Sequence, residues 1–342
     1  MPGLDRGIHL LFDRSLGLAL RFPRMTRFME KFLHLPPLAE VIARHGLFTK
    51  KALGQHFLLN EAITDRIVQY AGDVRGHHII EIGPGPGGLT RSLLKAGAGK
   101  VTAIEMDDRA IAILEELKTV AGDRLEIIHG DALKIDITAI SSAPRKIVAN
   151  LPYNVGTQLL VNWLEQIYSQ NISPRLRGEL EGGESKNSAH PHLTSPASGG
   201  GNSPFKSMTL MFQKEVAERI VAEHGNKAYG RLSVFAQWLT EVRWDMDLPP
   251  GAFSPPPKVS SAVITLTPRA TPLVDVSKDA LEKVLASAFN QRRKMLRGSL
   301  KTLGVDTEKL LFSAGIDGTL RAEQLDVVTL CGLAKIYDKA AY

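Results

Sequence analysis

The sequence predicts an α/β fold in which a parallel sheet is followed by a smaller all-helical domain at the C-terminal end. From residue 72 to residue 150, short apolar runs alternate with segments in which apolar residues recur with helical spacing. Strands that alternate with helices in this way form a parallel sheet covered on both faces, of the Rossmann-like type. After residue 269 the apolar spacing is helical, which indicates the second domain.

The first strand of the sheet is predicted over His78–Ile82, a short apolar run that ends in a glycine-rich loop. Leu89, Leu93 and Ala96 then follow the spacing of one helix face. The same two patterns recur along the chain. They predict strands at Val101–Ile104, Leu125–Ile128, Lys146–Ala149 and Met208–Gln213, and helices over 110–117 and at Gln158–Tyr168, Leu281–Phe289, Arg292–Leu303 and Ala322–Tyr337.

One stretch, residues 172–207, breaks the alternation. Seventeen of its 36 residues are Gly, Ser or Pro, and only one is aromatic. Such a segment buries too little apolar surface to offset the entropy of ordering it, so we expect a disordered insertion within the first domain. The predicted organisation is an N-terminal extension and basic arm over 1–50, a first domain over 51–270, and the helical domain over 271–342.

Composition and charge narrow the class of protein. The 342 residues leave room for about two domains, and the apolar fraction of 44% allows a sizeable core. The single cysteine, Cys331, excludes a disulfide framework, and no long apolar run is present, so we expect a soluble protein of the cytoplasm. Residues 1–51 hold nine basic and four acidic residues, and residues 291–301 hold five basic and no acidic ones. Basic segments on a mildly acidic body favour binding to a polyanion.

The glycine-rich loop, Glu81-Ile82-Gly83-Pro84-Gly85-Pro86-Gly87-Gly88, follows the first strand and opens a helix. Glycines here allow a ligand to approach the backbone at a helix N-terminus. Glu105 ends the next strand, 22 residues after Gly83, where a carboxylate accepts hydrogen bonds from ribose hydroxyls. Gly83, Gly85 and Glu105 are therefore predicted to hold an adenosine-containing cofactor. The spacing fits NAD as well as S-adenosylmethionine.

Two further features favour S-adenosylmethionine. Asp131 follows the third strand, where a carboxylate meets an adenine amino group. Pro84 and Pro86 remove amide donors that the pyrophosphate of NAD requires, whereas S-adenosylmethionine has no phosphate. The predicted cofactor is therefore S-adenosylmethionine, with no metal.

The tetrapeptide Asn150-Leu151-Pro152-Tyr153 lies at the end of the fourth strand, at the edge where α/β sheets bind ligands. It resembles the Asn/Asp/Ser-x-Pro-Tyr/Phe motif of the nucleic-acid methyltransferases that act on amino groups. The N6 nitrogen of adenine is a poor nucleophile because its lone pair is delocalised into the ring. The side-chain oxygen of Asn150 and a backbone carbonyl beside Pro152 can accept its N–H groups and aim the lone pair at a methyl group. Tyr153 can stack on a base flipped out of its helix.

Further segments narrow the resemblance to the ribosomal RNA adenine dimethyltransferase family. The segment Gly54-Gln55-His56-Phe57-Leu58 is similar to the family's GQNFL element, with His56 in place of Asn. The resemblance covers residues 35–342 except the 172–207 stretch. The segments at 253–263 and 289–294 favour the branch that acts on the small ribosomal subunit over the 23S rRNA dimethylases of macrolide resistance. The other matching segments are AYGRLSV at 228–234, FSPPPKVSSAV at 253–263, FNQRRK at 289–294 and GID at 315–317.

The resemblance implies a class I, Rossmann-like, S-adenosylmethionine-dependent methyltransferase sheet with a helical RNA-binding domain. It implies dimethylation of N6 of two adjacent adenines in the 3′-terminal hairpin loop of 16S rRNA, in the 30S subunit or its precursor, with a role in small-subunit biogenesis. We expect a monomer. The implied donor-binding residues are His56, Leu58, Gly83, Glu105, Asp131 and Asn150, and the implied catalytic residues are Asn150, Tyr153 and Phe253, with Phe253 stacking on the adenine opposite Tyr153.

The second domain is expected to bind the RNA. Arg293, Arg297 and Lys301 recur every four residues and predict one basic stripe along a helix, where contact with phosphates is expected. The predicted RNA-binding residues are Arg231, Arg292, Arg293, Lys294 and Arg297.

Three other interpretations stay open at this point. A dehydrogenase with a nicotinamide cofactor fits the glycine loop but leaves Asn150–Tyr153 and the basic helix unexplained. A DNA adenine methylase fits the catalytic tetrapeptide but not the second domain. The third is a binding protein for ribosome assembly in which catalysis is secondary.

Overall fold

A computed structural model describes residues 30–32, 34–47, 56–141, 144–171 and 203–340 of the chain. Residues 172–202 of the predicted insertion, most of the predicted 1–50 extension, and Gly54 and Gln55 lie outside the described residues. The described chain divides into two compact units. The first reaches Asn150 and includes Gly251–Pro256, and the second comprises Leu151–Pro250 and the chain from Pro257 onward. The domain boundary expected at residue 270 stays a prediction.

A parallel sheet forms the centre of the first unit, as the alternating pattern predicts. All five residues of the strand His78–Ile82 are buried, which is the burial expected when both faces of a sheet are covered. The strands of this unit, numbered along the whole chain, are β1 (Phe57–Leu58), β2 (His78–Ile82), β3 (Lys100–Glu105), β4 (Leu125–His129), β5 (Arg145–Asn150) and β8 (Phe253–Ser254). The strands β4, β3, β2 and β5 lie side by side in that order and are parallel.

Two helices of the first unit begin at residues whose side chains cap the helix N-terminus. The side chain of Asn60 accepts the Ala62 N–H at 2.9 Å, and that of Asp107 accepts the Arg109 N–H at 3.1 Å. One helix begins instead after Gly87, whose φ of 82° favours glycine, so the glycine loop runs directly into the helix N-terminus. The helices are α1 (Leu38–Arg44), α2 (Glu61–Tyr70), α3 (Gly88–Lys95) and α4 (Asp108–Ala121).

The second unit contains three antiparallel strands and a C-terminal set of helices. Its central strand pairs on both sides, with Leu210 opposite Ile264 on one side and Val242 opposite Leu266 on the other. The strands are β6 (Ser207–Gln213), β7 (Thr240–Leu248) and the central β9 (Ser261–Pro268), and the helices are α5 (Gly156–Asn171), α6 (Lys214–Val221), α7 (Arg231–Leu239), α8 (Lys278–Asn290), α9 (Leu296–Ser299), α10 (Thr307–Ser313) and α11 (Val327–Ala340).

The prediction of disorder over 172–207 is wrong at its C-terminal end. Phe205 is only 1% exposed, and Ser207 is a buried residue that begins β6. The one aromatic residue of the stretch therefore belongs to the core. Its burial explains why the structured chain includes residues before Met208, where the strand is predicted to begin.

The single helix predicted over Arg292–Leu303 is also wrong. Residues 291–294 form a turn in which the Lys294 N–H donates to the Gln291 carbonyl at 2.8 Å. In the rest of the predicted range only α9 is α-helical, and a 3₁₀ turn over Leu300–Leu303 follows it.

Tertiary hydrogen bonds explain this break. The N–H groups of Leu296 and Arg297 donate to the carbonyls of Leu320 and Gly318, at 2.8 and 3.0 Å, so the first turn of α9 is bound by a distant loop and does not continue α8. Arg293, Arg297 and Lys301 are exposed, but they do not form a stripe on one helix.

The remaining helical predictions hold with shifted boundaries. Helix α10 is not among the predicted helices. Its sequence signal is Asp306, whose side chain accepts the Lys309 N–H at 3.0 Å as an N-cap. The last helix begins at Val327, after a 3₁₀ turn over Ala322–Gln324. Within the part of the chain that the structure describes, no helix is both long and apolar enough to span a membrane.

Candidate active site

Residues 83–87 of the glycine loop, between β2 and α3, have no N–H group left for a phosphate. Its N–H groups donate from Gly83 to the Ile104 carbonyl at 2.9 Å, from Gly85 to the Glu105 carboxylate at 3.0 Å and from Gly87 to the Pro84 carbonyl at 3.0 Å. The two other residues of 83–87 are prolines, which have no N–H. A dinucleotide binds its pyrophosphate through free amides at this place. The loop therefore fits an adenosine ligand without phosphate, and the interpretation as a dehydrogenase loses its support.

The carboxylate of Glu105 is held at the end of β3, where the ribose contact is predicted. Its Oε1 accepts the N–H groups of Met106 and Asp107 at 2.7 and 3.0 Å, and its Oε2 accepts that of Gly85 at 3.0 Å. Because a carboxylate oxygen has two lone pairs, Oε2 keeps the capacity to accept a ribose hydroxyl. Three backbone donors thus fix the carboxylate in one orientation.

A second carboxyl group, that of Glu81, lies in β2 immediately before the loop. Glu81 is 1% exposed, and its Oε2 accepts the hydroxyl of Thr90 in α3 at 2.7 Å. Burial raises the pKa of Glu81 to about 8; the hydrogen bond from Thr90 opposes this rise and the charge of Glu105 adds to it. Glu81 is not among the predicted site residues. An acidic residue inside an apolar strand is the sequence signal that could have identified it.

Asp131 lies beyond the end of β4, as predicted. β3 and β4 pair Glu105 with His129, and the Gly130 N–H donates to the Glu105 carbonyl at 2.9 Å. Asp131 therefore lies at the same edge of the sheet as Glu105. Its carboxylate accepts the Leu133 N–H at 3.0 Å, so Asp131 begins a turn and not a helix.

The side chain of Asn150 is oriented by a backbone group of a distant segment. Its Nδ2 donates to the His56 carbonyl at 3.2 Å, at the C-terminal end of β5. Since this bond engages the carboxamide nitrogen, the oxygen Oδ1 is the group that Asn150 offers to a ligand. An acceptor is what the N6–H of an adenine requires.

The short strand β1 lies against the glycine loop. A Cβ on Gly85 would be 2.9 Å from Cε1 of Phe57, and a Cβ on Gly88 would be 2.6 Å from the carbonyl oxygen of Leu58. Both distances are shorter than carbon contacts allow, so only glycine permits this approach. The predicted donor-site residue Leu58 is therefore next to the glycine loop.

β1 also pairs with β8, antiparallel, which places Leu58 opposite Phe253. Both side chains are 5% exposed. The imidazole Nδ1 of His56 donates to the Pro255 carbonyl at 2.8 Å, one residue beyond the ladder. The first unit thus brings His56, Leu58, Asn150 and Phe253 together, although they are far apart in the sequence.

Tyr153 belongs to the second unit and is fixed by its hydroxyl group. The hydroxyl forms a 2.6 Å hydrogen bond with Oγ of Ser261, which is fully buried in β9. Burial raises the pKa of Tyr153, and the bond to Ser261 opposes the rise, so the phenol stays protonated at neutral pH. The ring is half-buried. The sequence analysis did not single out Ser261, and nothing in the sequence alone relates it to Tyr153.

The predicted RNA-binding residues have unequal surroundings. Arg231 begins α7 and is exposed, and Arg293, Lys294 and Arg297 are exposed as well. Arg292 is engaged within the second unit. Its Nη2 donates to the carbonyls of Lys227 and Tyr229 at 2.8 and 2.9 Å and lies 3.2 Å from the carboxylate of Glu323.

The described residues contain no group of three or more His, Cys, Asp or Glu side chains that could hold a metal ion. The expected absence of a metal stays a prediction.

Comparisons with known proteins identify the family that the chain resembles. The chain matches the family described as Ribosomal RNA adenine dimethylase over residues 47–339. It is 49% identical to a Ribosomal RNA small subunit methyltransferase A from Ruegeria sp. (strain TM1040), over 91% of this chain and 100% of that protein. A protein of the same name from Paracoccus denitrificans (strain Pd 1222) is 52% identical over 88% of this chain and 95% of its own length.

Two solved structures are similar to this chain in fold. The crystal structure of a dimethyladenosine transferase from Plasmodium falciparum matches with a TM-score of 0.65 and 25% identity, over 84% of this chain and 98% of that one. The 23S rRNA methyltransferase ErmE matches with a TM-score of 0.56 and 24% identity, over 82% of this chain and 99% of that one, and supports the fold alone. The predicted class I, Rossmann-like methyltransferase sheet with a helical C-terminal part is confirmed. With a family match across most of its length and relatives near 50% identity, this chain belongs to the ribosomal RNA adenine dimethylase family, whose members are S-adenosylmethionine-dependent enzymes.

Proposed function

We propose that this enzyme dimethylates N6 of two adjacent adenines in the 3′-terminal hairpin loop of 16S rRNA, with S-adenosylmethionine as the methyl donor. The names of its relatives support the small ribosomal subunit as the substrate. The observation that carries the chemistry is the orientation of Asn150. Its carboxamide nitrogen is bound by the His56 carbonyl, and its oxygen is left to accept an N6–H.

The first unit would hold the methyl donor. Glu105 would accept the ribose hydroxyls and Asp131 the adenine amino group, with Gly83, His56 and Leu58 bordering the ligand. The fit rests on the glycine loop, because every amide of residues 83–87 is already bonded and a ligand without phosphate needs none. When bound, S-adenosylmethionine supplies an electrophilic methyl group on a sulfonium.

Asn150 would activate the acceptor by orientation. Its Oδ1 and a backbone carbonyl beside Pro152 would each accept one N–H of the adenine amino group. Two such acceptors favour a tetrahedral nitrogen whose lone pair points away from the ring and towards the methyl group. Each N6–H proton displaced by a methyl group would pass to solvent, so Asn150 needs no proton-transfer role, and the rate enhancement comes from position and electrostatics.

Two aromatic rings would hold the flipped base. The bond between Tyr153 and Ser261 fixes the position of the phenol ring, which leaves its face as the stacking surface. Phe253 is paired opposite Leu58 in the β1–β8 ladder, and its ring would contact the other face of the base.

The exposed basic residues Arg231, Arg293, Lys294 and Arg297 would contact RNA phosphates. The partner would be 16S rRNA in the 30S subunit or its precursor, and the enzyme would act as a cytoplasmic monomer in small-subunit biogenesis.

Transfer of tritiated methyl groups from S-adenosylmethionine tests this proposal, with under-methylated 30S subunits, naked 16S rRNA, 23S rRNA and duplex DNA as acceptors. We expect label on 30S subunits alone, recovered after digestion as N6,N6-dimethyladenosine. Label on 23S rRNA or duplex DNA would assign the enzyme a different substrate. An unlabelled 30S subunit, with the donor still bound, would exclude the proposed acceptor.

A further inference from the structure

His56 joins three parts of the first unit through two different groups. Its backbone carbonyl accepts Nδ2 of Asn150 at 3.2 Å, and its imidazole Nδ1 donates to the Pro255 carbonyl at 2.8 Å. The next residue, Phe57, begins β1 and lies against Gly85 of the glycine loop. One residue therefore contacts the acceptor-orienting asparagine and the segment that carries Phe253.

The contact with Pro255 lies one residue beyond the ladder between β1 and β8. The register pairs Leu58 with Phe253 and ends with Phe57 opposite Ser254. Proline has no N–H, so the backbone of Pro255 can form a hydrogen bond only through its carbonyl. A carbonyl only accepts, so the imidazole nitrogen carries the proton that closes the end of the ladder.

We propose that His56 is a positioning residue for methyl transfer. Its imidazole fastens the β8 segment to β1, while its carbonyl sets the carboxamide of Asn150, so the base-holding ring of Phe253 and the acceptor oxygen of Asn150 keep one fixed relation. This inference rests on the proposed function, because it assigns both residues to the same adenine.

The donor atom must lie one bond beyond Cγ. In histidine this atom is Nδ1, and in asparagine the carboxamide Nδ2 occupies the equivalent place. Glutamine carries its amide one carbon further from the backbone. The geometry therefore distinguishes His56→Asn, which keeps the hydrogen bond to Pro255, from His56→Gln and His56→Ala, which lose it.

The test measures kcat and KM on under-methylated 30S subunits for the wild type and these three variants. We expect kcat to fall about 10- to 100-fold in His56→Ala and His56→Gln, since a displacement of about 1 Å at the reacting centre has this effect, and to stay within about threefold in His56→Asn. KM for 30S subunits should stay close to wild type, and kcat is measured at saturating S-adenosylmethionine so that a weaker donor site does not account for its fall.

The ratio of products gives a readout that a structural role would not change. After the first methylation the amino group retains one N–H, so its orientation depends on a single hydrogen bond and on the clamped base. A loosened clamp should therefore raise the fraction of N6-monomethyladenosine over N6,N6-dimethyladenosine in His56→Ala, and His56→Asn should restore the wild-type ratio.

His77→Ala is the matched control. His77 also uses Nδ1 to bind a backbone carbonyl, that of Arg75 at 3.1 Å, but in the turn before β2. It should lose a similar bond without changing kcat or the product ratio. Equal activity of His56→Ala and wild type, or equal loss in His56→Asn and His56→Ala, would overturn the inference. A wild-type enzyme that forms no dimethyladenosine would instead refute the proposed function.

Discussion

The hydroxyl of Thr90 donates a 2.7 Å hydrogen bond to Oε2 of Glu81, a carboxyl group that is 1% exposed. The pair joins β2 to α3 across the glycine loop. Burial raises the pKa of Glu81 to about 8, so the folded protein holds this proton through neutral pH. In an unfolded chain the same group loses its proton near its ordinary pKa of 4.5.

This difference predicts how stability depends on pH. Between about pH 4.5 and pH 8 the folded state binds one more proton than the unfolded state, so the contribution of Glu81 to the free energy of unfolding falls as pH rises. Glu81→Gln keeps a neutral side chain of the same shape and should lose this dependence. Urea unfolding should show the variant gaining stability relative to wild type from pH 5 to pH 8.

The control for Glu81→Gln is Glu308→Gln, since Glu308 is exposed in the first turn of α10. Its stability should follow that of the wild type at every pH. Parallel pH profiles of Glu81→Gln and wild type would show that the buried carboxyl group does not hold the proton.

Replacing Asn150 tests the acceptor chemistry. Asn150→Ala removes the oxygen that accepts N6–H, and we expect transfer to 30S subunits to fall by ~100- to 1,000-fold, as for loss of one preorganised transition-state group. Asn150→Asp keeps an oxygen but loses the N–H that binds the His56 carbonyl, so it should also be impaired. Binding of S-adenosylhomocysteine should fall far less than turnover in both variants. Normal turnover in Asn150→Ala would sink the mechanism.

The sequence predicts those parts of the fold that depend on local pattern. The strands around His78–Ile82 and the positions of Glu105 and Asp131 at one sheet edge follow from alternating elements and from the rule that parallel strands end together. The turn at 291–294 does not follow, because hydrogen bonds from Leu296 and Arg297 to a distant loop break the helical pattern.

The hydrogen bonds within the site do not follow from local sequence pattern either. Asn150 is recognisable from its tetrapeptide, but its orientation depends on a carbonyl 94 residues earlier in the chain. The bond from Tyr153 to Ser261 spans 108 residues, and the one from His56 to Pro255 spans 199. Such long-range pairs leave no periodic signal, so single-sequence reasoning identifies the residues and not their partners.

Gly85→Ala tests the contact between β1 and the glycine loop. Gly85 has a φ of +54°, and an added Cβ would be 2.9 Å from Cε1 of Phe57. We expect a loss of stability of about 1–3 kcal/mol from backbone strain, and weaker binding of S-adenosylhomocysteine because β1 is displaced. Thermal unfolding and calorimetry measure the two effects.

The variant Gly122→Ala distinguishes the effect of backbone strain from the effect of displacing β1. Gly122 has a φ of +61°, but nothing lies within 4 Å of its added Cβ. It should lose stability through backbone strain alone and keep its affinity for S-adenosylhomocysteine. Equal affinity in Gly85→Ala and Gly122→Ala would show that the approach of Phe57 does not shape the donor site.

Arg292 and Arg293 are adjacent, and the structure gives them different roles. Arg292 binds the carbonyls of Lys227 and Tyr229 and contacts Glu323, whereas Arg293 is exposed. Arg292→Ala should therefore lower the thermal unfolding temperature, since it leaves two carbonyls without their donor. Arg293→Ala should leave that temperature unchanged and weaken binding to 30S subunits. A phosphate contact releases counterions, so the slope of log affinity against log salt should decrease by about 1 in Arg293→Ala.

Arg293→Lys is the control for charge. It keeps the positive charge and should keep the slope. If Arg293→Ala and wild type share one slope, Arg293 contacts no phosphate and the exposed Arg297 of α9 becomes the next candidate.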